Sequence, residues 1–359
     1  MKLLIITLLS ALFVAVFGVC VELVLRNTGI EPVQHLLSAD LATYEKVPGI
    51  WAPGQDITWK HVPSLPHRIR INSAGYRGAE FDIQKGSDEF RVLMVGDSYT
   101  FGNNVGEAET MPYQLEQELY EVCENKSFTV INAGISGSTI RGQTEMVKRG
   151  MSLNPDLVVL VFTETDIPEL PDPLWDRMYN NRMAKSKFPV SVFWPLVRDT
   201  ATWAFIAKGR ETISMRARRQ YEVIEGSEDE LVHDELKLTY IKELNKLAAQ
   251  IEEQESGFVV VNFPGNHAAR GEPYIDTYFW AMEEFPKNGI TTINLIEPLR
   301  RALGDNIDSA YLLPEDGHPS KLGYKIAATT MARSLMTQAA LRNRCRDSHT
   351  SSGGVGSTG

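Results

Sequence analysis

The sequence predicts a three-layer α/β domain built on a doubly wound parallel sheet of five strands. Five short apolar runs, rich in β-branched residues, have the continuous hydrophobic character of strands that are covered on both faces. Helical stretches separate these runs, as expected when crossover helices join parallel strands. In chain order the predicted strands are residues 90–95, 128–131, 157–162, 258–261 and 290–295.

The sequence around these strands divides the chain into a lead-in, a main domain with an inserted cap, and a tail. Residues 27–89 are rich in proline, glycine and aromatic residues, which predicts a lead-in of loops and short strands before a main domain at 90–342. Residues 167–234 break the alternation but are too apolar for a linker. We interpret them as an inserted cap, which either shapes a substrate pocket or is a structural insertion. Residues 343–359 are rich in serine, glycine and threonine, which predicts a disordered tail.

Residues 1–26 form a predicted N-terminal segment. Its apolar run covers residues 3–25, with Lys2 before it and Arg26 after it. About 20 apolar helical residues span the core of a bilayer, and no clean small-x-small cleavage site follows the run. An uncleaved transmembrane signal anchor is therefore favoured over a cleaved signal peptide or a buried helix. In this interpretation Glu22 lies near the outer interface. The chain is then a single-pass membrane protein with an extracytoplasmic main domain, either periplasmic or extracellular.

Composition and motif content limit the classes of partner and cofactor that the chain is expected to bind. The chain has 359 residues and a formal net charge of −10, and it lacks the basic patch that phosphate binding requires, so no nucleic acid is expected. No P-loop, His-Glu-x-x-His or Gly-x-Gly-x-x-Gly motif is present, so neither a metal nor another cofactor is expected. Cys123 falls in a helical pattern and Cys345 in the polar tail. No Cys-x-x-Cys pair occurs, which indicates neither a disulfide framework nor a zinc site.

The ends of the predicted strands carry the candidate chemistry, because ligands of open α/β sheets bind beyond the carboxyl ends of the strands. The first strand ends in Gly-Asp-Ser, which presents Ser98 at a turn before a helix. A helix N-terminus supplies N–H groups for a developing oxyanion. The second strand ends near Gly134, whose N–H could approach the same point. After the third strand, Thr165 offers a hydroxyl and Asp166 can cap or brace the loop.

A histidine near the C-terminus is the candidate general base. His318 lies in a Pro-Glu-Asp-Gly-His-Pro-Ser stretch that precedes a helix. A serine hydroxyl is a weak nucleophile without a base, and a nearby carboxylate can hold the imidazole in the required tautomer. Glu315 and Asp316 both lie close enough in sequence to provide that carboxylate.

These four segments, in this order, resemble the SGNH (GDSL-type) hydrolase family, over roughly residues 91–335. The resemblance implies a flavodoxin-like α/β/α fold and the activity of an esterase, lipase or acyltransferase. It also implies roles by position: Ser98 as nucleophile, Gly134 as an oxyanion N–H donor together with Ser98, and His318 as general base. For the acid it favours Asp316 over Glu315. The lead-in segment 72–78 and the residues that follow His318 resemble the membrane-anchored branch of the family.

The third block departs from the family pattern, which reads Gly-x-Asn-Asp. Thr163 replaces the glycine and Thr165 replaces the asparagine that donates to the oxyanion, while Asp166 is retained. The loss of one oxyanion donor lowers turnover by about 10²- to 10³-fold. Either the hydroxyl of Thr165 or another side chain from the cap is expected to substitute; the alternative is a slow or specialised enzyme.

The sequence therefore predicts an extracytoplasmic serine esterase that acts on an acylated carbohydrate or lipid through a Ser98-His318-Asp316 triad. Two alternatives stay open: an O-acyltransferase of an envelope polysaccharide, and a non-catalytic envelope binding protein. The expected partners are a small-molecule or glycan ester as substrate and the membrane through the N-terminal helix. The sequence identifies no protein partner.

Overall fold

The computed structural model describes most of the chain. The described residues are 2–30, 51–59, 62, 64–123, 126–171, 184, 187–198, 200–207, 209, 229–271, 276–337, 341 and 345. In these ranges one five-stranded parallel sheet has helices on both faces, as the sequence predicted.

The described strands include all five predicted runs and a separate antiparallel pair. Their bounds are β1 (Asp56–Trp59), β2 (His67–Arg70), β3 (Glu89–Gly96), β4 (Ser127–Gly134), β5 (Leu157–Phe162), β6 (Gly257–Asn262) and β7 (Thr292–Asn294). The central sheet has the order β4-β3-β5-β6-β7, and each neighbouring pair is parallel. The last strand lies at the edge and is shorter than predicted.

Helices connect these strands and flank the sheet. The described α-helices are α1 (Lys2–Asn27), α2 (Ser98–Phe101), α3 (Met111–Val122), α4 (Ile140–Gly150), α5 (Val190–Arg198), α6 (Asp229–Glu252), α7 (Asn266–Arg270), α8 (Thr277–Lys287), α9 (Ile296–Leu303) and α10 (Lys321–Leu335). Short 3-10 helices lie at Glu107–Glu109, Met151–Leu153 and Gly304–Ala310. Residues 201–207 are also helical.

Two apolar cores lie on opposite faces of the sheet. On β3, Leu93 and Val95 face one core while Val92 and Met94 face the other, and all four side chains are fully buried. Helices α4, α6 and α8 contribute to the first core, and α3, α9 and α10 contribute to the second. Side chains alternate between the faces of a strand, so a strand that is covered on both faces needs an unbroken apolar sequence.

The strand order makes the carboxyl end of β3 the expected position for ligand binding. The chain runs from β3 to β4 on one side and then to β5 on the other side, so its direction reverses beside β3. Ligands of doubly wound sheets bind at such a reversal. The register also pairs Gly96 at the end of β3 with Gly134 at the end of β4.

The described part of the lead-in packs on the main sheet. Strands β1 and β2 pair antiparallel, and Trp51, Ile69 and Ile71 are buried in the core that α4, α6 and α8 cover. The segment therefore shares one core with this face of the main sheet.

The N-terminal helix has the length and composition of a membrane span. Leu4–Asn27 comprises 24 residues with a mean hydropathy of 2.8 in its most apolar window, and none of that window is buried. Of the predicted cap, the structure describes residues 167–171, 184, 187–198, 200–207, 209 and 229–234, and the first residues of α6 fall inside the predicted cap bounds. The remainder of the cap lies outside the described residues, as does the predicted tail apart from Cys345.

Cys123 and Cys345 form a disulfide that the sequence analysis did not predict. Their Cα atoms are 5.5 Å apart, although 222 positions separate them in sequence. Cys123 follows α3, and α3 packs against α10, beyond which Cys345 lies. The expectation that the chain has no disulfide is therefore wrong, because tertiary packing and not sequence spacing brings the two thiols together.

Candidate active site

The structure places Ser98 at the first position of a short helix that follows β3 directly. Asp97 caps this helix, and its Oδ1 accepts the N–H of Tyr99 at 2.8 Å. Gly96 permits the tight approach, because a Cβ atom at this position would lie 2.2 Å from Oγ1 of Thr100. Ser98 itself donates its N–H to no acceptor among the described residues, so that donor is available for a ligand.

His318 and Asp316 complete a hydrogen-bonded chain with Ser98. His318 Nε2 lies 2.8 Å from Ser98 Oγ across 220 positions of sequence. His318 Nδ1 lies 2.9 Å from both Oδ1 and Oδ2 of Asp316. A carboxylate only accepts, so Nδ1 carries the hydrogen and Nε2 is left to accept from the serine hydroxyl. This is the arrangement that lets an imidazole remove a proton from serine.

Asp316, and not Glu315, is the carboxylate that the structure brings to His318. Burial by itself raises the pKa of Asp316, but hydrogen bonds from His318 and from the Asn104 side chain outweigh it, so the net pKa lies below the usual value. Asn104 Nδ2 donates to Asp316 Oδ2. The Glu315 side chain is exposed and has no hydrogen bond to any described residue.

Tyr99, the residue after Ser98, contacts the loop that carries His318. Its ring lies 5.6 Å from the His318 ring and meets Phe263 edge-on at 5.3 Å. Its hydroxyl donates to the carbonyl of Gly317 at 3.3 Å. Tyr99 thus contacts both the imidazole of His318 and the backbone beside it, and no sequence motif indicated this contact.

Gly134 has a packing role that differs from the predicted one. A Cβ atom at Gly134 would lie 2.2 Å from the backbone nitrogen of Phe101, so this glycine lets α2 lie directly on β4. Its N–H already donates to Asn132 Oδ1 at 3.1 Å. The hydrogen bonding therefore does not support Gly134 as the oxyanion donor.

A second glycine at the same strand end has a free donor. Gly137 is buried, with φ of 78° in the turn that closes with the hydrogen bond from Ser138 N–H to Ile135 O. Its own N–H has no acceptor among the described residues. The hydroxyl of Ser138 and the N–H of Ile135 both donate to the carbonyl of Gly96, which holds this turn beside the end of β3.

The third strand end links two buried carboxylates through one threonine. The Thr163 hydroxyl donates to Asp97 Oδ2 at 3.0 Å, and its N–H donates to Asp166 Oδ2 at 3.0 Å. Gln143 donates to the other oxygen of Asp166 at 3.1 Å. Burial raises the pKa of Asp166 well above its usual value, and the negative charge of Asp97 adds to this effect. Asp166 therefore braces the loop from inside the protein.

Thr165 is exposed beside this network. Its Oγ1 lies 3.2 Å from Oγ1 of Thr163. Because the single hydroxyl hydrogen of Thr163 is directed to Asp97, the Thr165 hydroxyl is the donor in this contact. Thr165 must rotate away from Thr163 before it can donate to a ligand.

Arg77, in the lead-in, binds the carboxyl end of helix α2, which begins at Ser98. Its side chain is buried, and its Nη atoms donate to the carbonyls of Phe101, Gly102 and Val105 at 2.6–2.7 Å. The N–H of Gly102 in turn bonds the carbonyl of Ser98 at 2.9 Å. Burial lowers the pKa of Arg77 to about 10, a value at which it remains charged near neutral pH.

A tight turn explains how the lead-in presents Arg77. Asn72 Oδ1 accepts the N–H groups of Ala74 and Tyr76 at 3.1 and 3.0 Å, and Gly75 between them has φ of 82°, which favours glycine. In the sequence, this segment shows only a resemblance to the membrane-anchored branch of the SGNH family. The structure shows that the segment delivers a guanidinium to the carbonyls at the end of α2.

Comparison with known proteins finds similar folds at low identity. No family model and no curated protein matches the chain. Similar solved structures include a lipase/acylhydrolase from Enterococcus faecalis, with 14% identity, a TM-score of 0.40, and 69% of this chain and 96% of that chain covered. An acetylxylan esterase from Geobacillus stearothermophilus has 15% identity and a TM-score of 0.44, with 71% and 96% covered. A protein described as lipolytic, of the G-D-S-L family, from Desulfitobacterium hafniense has 14% identity and a TM-score of 0.39, with 68% and 98% covered. Similarity at this level does not assign an activity to this chain.

Proposed function

We propose that the chain is a serine esterase of the SGNH (GDSL-type) family that hydrolyses carboxylic esters through an acyl-enzyme. Ser98 is the nucleophile, His318 the general base and Asp316 the carboxylate that orients the base. The hydrogen-bonded chain from Ser98 Oγ through the imidazole to Asp316, with both heavy-atom distances below 3 Å, is the observation that supports this proposal.

The reaction follows from the position of the protons. As Ser98 Oγ attacks the ester carbonyl carbon, His318 Nε2 takes the hydroxyl proton, and Asp316 stabilises the imidazolium. Collapse of the tetrahedral intermediate breaks the bond to the alcohol oxygen, which receives the proton from His318. Water then attacks the acyl-enzyme with His318 again as base, and the acid leaves as Ser98 regains its proton.

The backbone N–H groups of Ser98 and Gly137 are the proposed oxyanion donors. Both lack an acceptor among the described residues, and both follow strand ends that pair in register at Gly96 and Gly134. Thr165 is the proposed third donor after it leaves Thr163. Breaking that neutral hydrogen bond costs about 0.5–1.5 kcal/mol, so a hydroxyl here stabilises the transition state less than a preorganised amide would.

An extracytoplasmic location at a membrane is part of the proposal. Helix α1 is long and apolar enough to span a bilayer, and the Cys123–Cys345 disulfide suits an oxidising compartment. Acylated carbohydrates and lipids of an envelope are the esters that a catalytic domain tethered there would meet.

Labelling with a fluorophosphonate probe tests the proposal. We expect the folded full-length chain to form an adduct on Ser98, which mass spectrometry can locate. Labelling should disappear in Ser98→Ala and His318→Ala and persist in Ser152→Ala, which removes an exposed serine remote from the triad. A folded chain that does not react with the probe would instead support the binding-protein alternative.

Product analysis then separates hydrolysis from acyl transfer. Both reactions share the acyl-enzyme and differ in whether water or a sugar hydroxyl attacks it. Release of free acid from an acylated glycan, with no new ester on an acceptor glycan, is the result expected of the proposed esterase. Acyl transfer with little free acid would assign the transferase activity.

A further inference from the structure

The inserted segment presents an apolar face that no described part of the main domain covers. Phe188, the helix α5 that follows it and the helical residues 201–207 carry large apolar side chains that are 45–83% exposed. They are Phe188, Val192, Phe193, Leu196, Phe205 and Ile206; we call this set the apolar face. Large exposed apolar patches mark interaction sites, whereas single exposed apolar side chains are ordinary.

The carboxylate of Glu22 in the N-terminal helix binds the start of the second insertion helix and so positions the apolar face relative to α1. Glu22 accepts the N–H groups of Ala201 and Thr202 at 2.8 and 2.9 Å and the Thr202 hydroxyl at 2.8 Å. Arg26, one turn further along α1, donates to the same carboxylate at 2.8 Å. The start of the second insertion helix is therefore attached to the last turns of α1.

This attachment puts the apolar face at the level where α1 leaves a bilayer. A helix rises about 1.5 Å per residue, so the roughly 20 residues of α1 that precede Glu22 cover about the 30 Å of the hydrocarbon core. The Glu22 carboxylate then lies at the outer interface, where its hydrogen bonds to the insertion satisfy its charge.

The composition of the insertion also suits a membrane interface. Trp194 and Trp203 meet edge-on with their ring centroids 4.7 Å apart, and tryptophan is enriched at the boundary between lipid and water. Lys187 and Arg198 flank α5 at its two ends. Basic residues beside an apolar helix face favour anionic headgroups.

We propose that the apolar face lies in the outer leaflet of the membrane that α1 spans, as a second, in-plane contact between the chain and lipid. The inference rests on the proposed anchoring by α1 and not on the assignment of the triad. It replaces the interpretation of this part of the insertion as a cap that shapes a substrate pocket. The catalytic domain would then be held at two points and lose freedom to rotate about its anchor.

Fluorescence quenching in proteoliposomes tests this placement on the full-length chain. We use two variants with one free cysteine each, Phe193→Cys and Leu196→Cys. Both are made in a Cys20→Ala background that keeps the disulfide, and both are labelled with an environment-sensitive NBD probe. We expect a several-fold loss of emission when the vesicles of phosphatidylethanolamine and phosphatidylglycerol contain lipids that are spin-labelled on the acyl chain. Ile83→Cys is the matched control, because Ile83 is 46% exposed but lies in the lead-in, and its probe should keep its emission.

The native Cys20 separates failure of this inference from failure of the anchor. Cys20 is a free, exposed thiol within α1, and its probe reports insertion of that helix. Quenching at Cys20 without quenching at Phe193→Cys and Leu196→Cys would overturn the placement of the apolar face and leave the anchor intact. Cross-linking between two Phe193→Cys chains, again without lipid quenching, would overturn it in favour of a second copy as the occupant. No quenching at any of these positions would overturn both.

Discussion

Replacing Asp316 by asparagine tests the orienting carboxylate with almost no change of shape. Both oxygens of Asp316 are occupied: His318 Nδ1 is 2.9 Å from each of them, and Asn104 donates to Oδ2. An amide offers one acceptor atom, so in Asp316→Asn either His318 or Asn104 faces an N–H donor. If His318 is the one that gives way, its tautomer reverses, and Nε2 can no longer accept the proton of Ser98.

The size of the effect follows from these contacts. Loss of the charged hydrogen bond to the imidazolium removes about 1.5–3 kcal/mol, and a buried donor left without an acceptor costs about 1–3 kcal/mol more. Together these amount to about 3–6 kcal/mol, which corresponds to a fall of about 10²- to 10⁴-fold in kcat/KM. Asn104→Ala removes a single charged hydrogen bond, so we expect a loss of about 10-fold.

The assay is hydrolysis of p-nitrophenyl acetate, with thermal unfolding of each variant as the check on folding. Glu315→Gln is the matched control: its side chain is exposed, so we expect kcat/KM to stay within about two-fold of wild type. In the double variant of Asp316 and Asn104 the loss should not exceed that of Asp316→Asn alone, because one network contains both groups. An equal or larger loss in Glu315→Gln would refute the assignment of the acid.

Four further perturbations act on other parts of the structure. Arg77→Lys keeps a charge but cannot donate to the three carbonyls from two nitrogen atoms, so the free energy of unfolding in urea should fall by about 2 kcal/mol. We expect kcat to fall more than KM changes. An unchanged kcat would restrict Arg77 to a stabilising role. Thr165→Asn adds a planar N–H donor at an exposed site and should maintain or raise kcat, whereas a sharp fall would argue against an oxyanion role. Cys345→Ser opens a loop of 222 positions and should lower the free energy of unfolding by up to about 5 kcal/mol; reductant should have the same effect on wild type and none on the variant. Burial raises the pKa of Asp166 above the ordinary value of 3.8. The stability that its protonated form gives is therefore complete below that pH and is lost as the pH rises through the folded-state pKa. Asp166→Asn should flatten the dependence of unfolding free energy on pH above 3.8, and an unchanged slope would assign that dependence to other groups.

The sheet could be predicted from sequence because burial on both faces leaves a local signature. The strands carry runs of consecutive apolar side chains, and in β3 Val92, Leu93, Met94 and Val95 are all fully buried. The edge strand β7 begins at Thr292, two residues later than predicted. At an edge, a β-branched sequence pairs with a neighbour on only one side, so composition fixes the strand boundary less firmly.

The site could be predicted only where local motifs carry it. The sequence pointed to Ser98, His318 and Asp316, which the structure brings into hydrogen-bonding distance. It could not indicate that Asn132 would engage the N–H of Gly134, because this depends on a side-chain rotamer. The support that Asn104 gives to Asp316 spans 212 positions, and no local pattern encodes such a contact.

The disulfide has a consequence for a chain that a protease has cut once. Ser98 precedes Cys123, whereas His318 lies between Cys123 and Cys345. One proteolytic nick anywhere between the two half-cystines would therefore leave both fragments covalently joined, with Ser98 and His318 still in one molecule. Nicked protein should migrate as two fragments on a reducing gel and as one band on a non-reducing gel, and it should keep its esterase activity until a reductant is added.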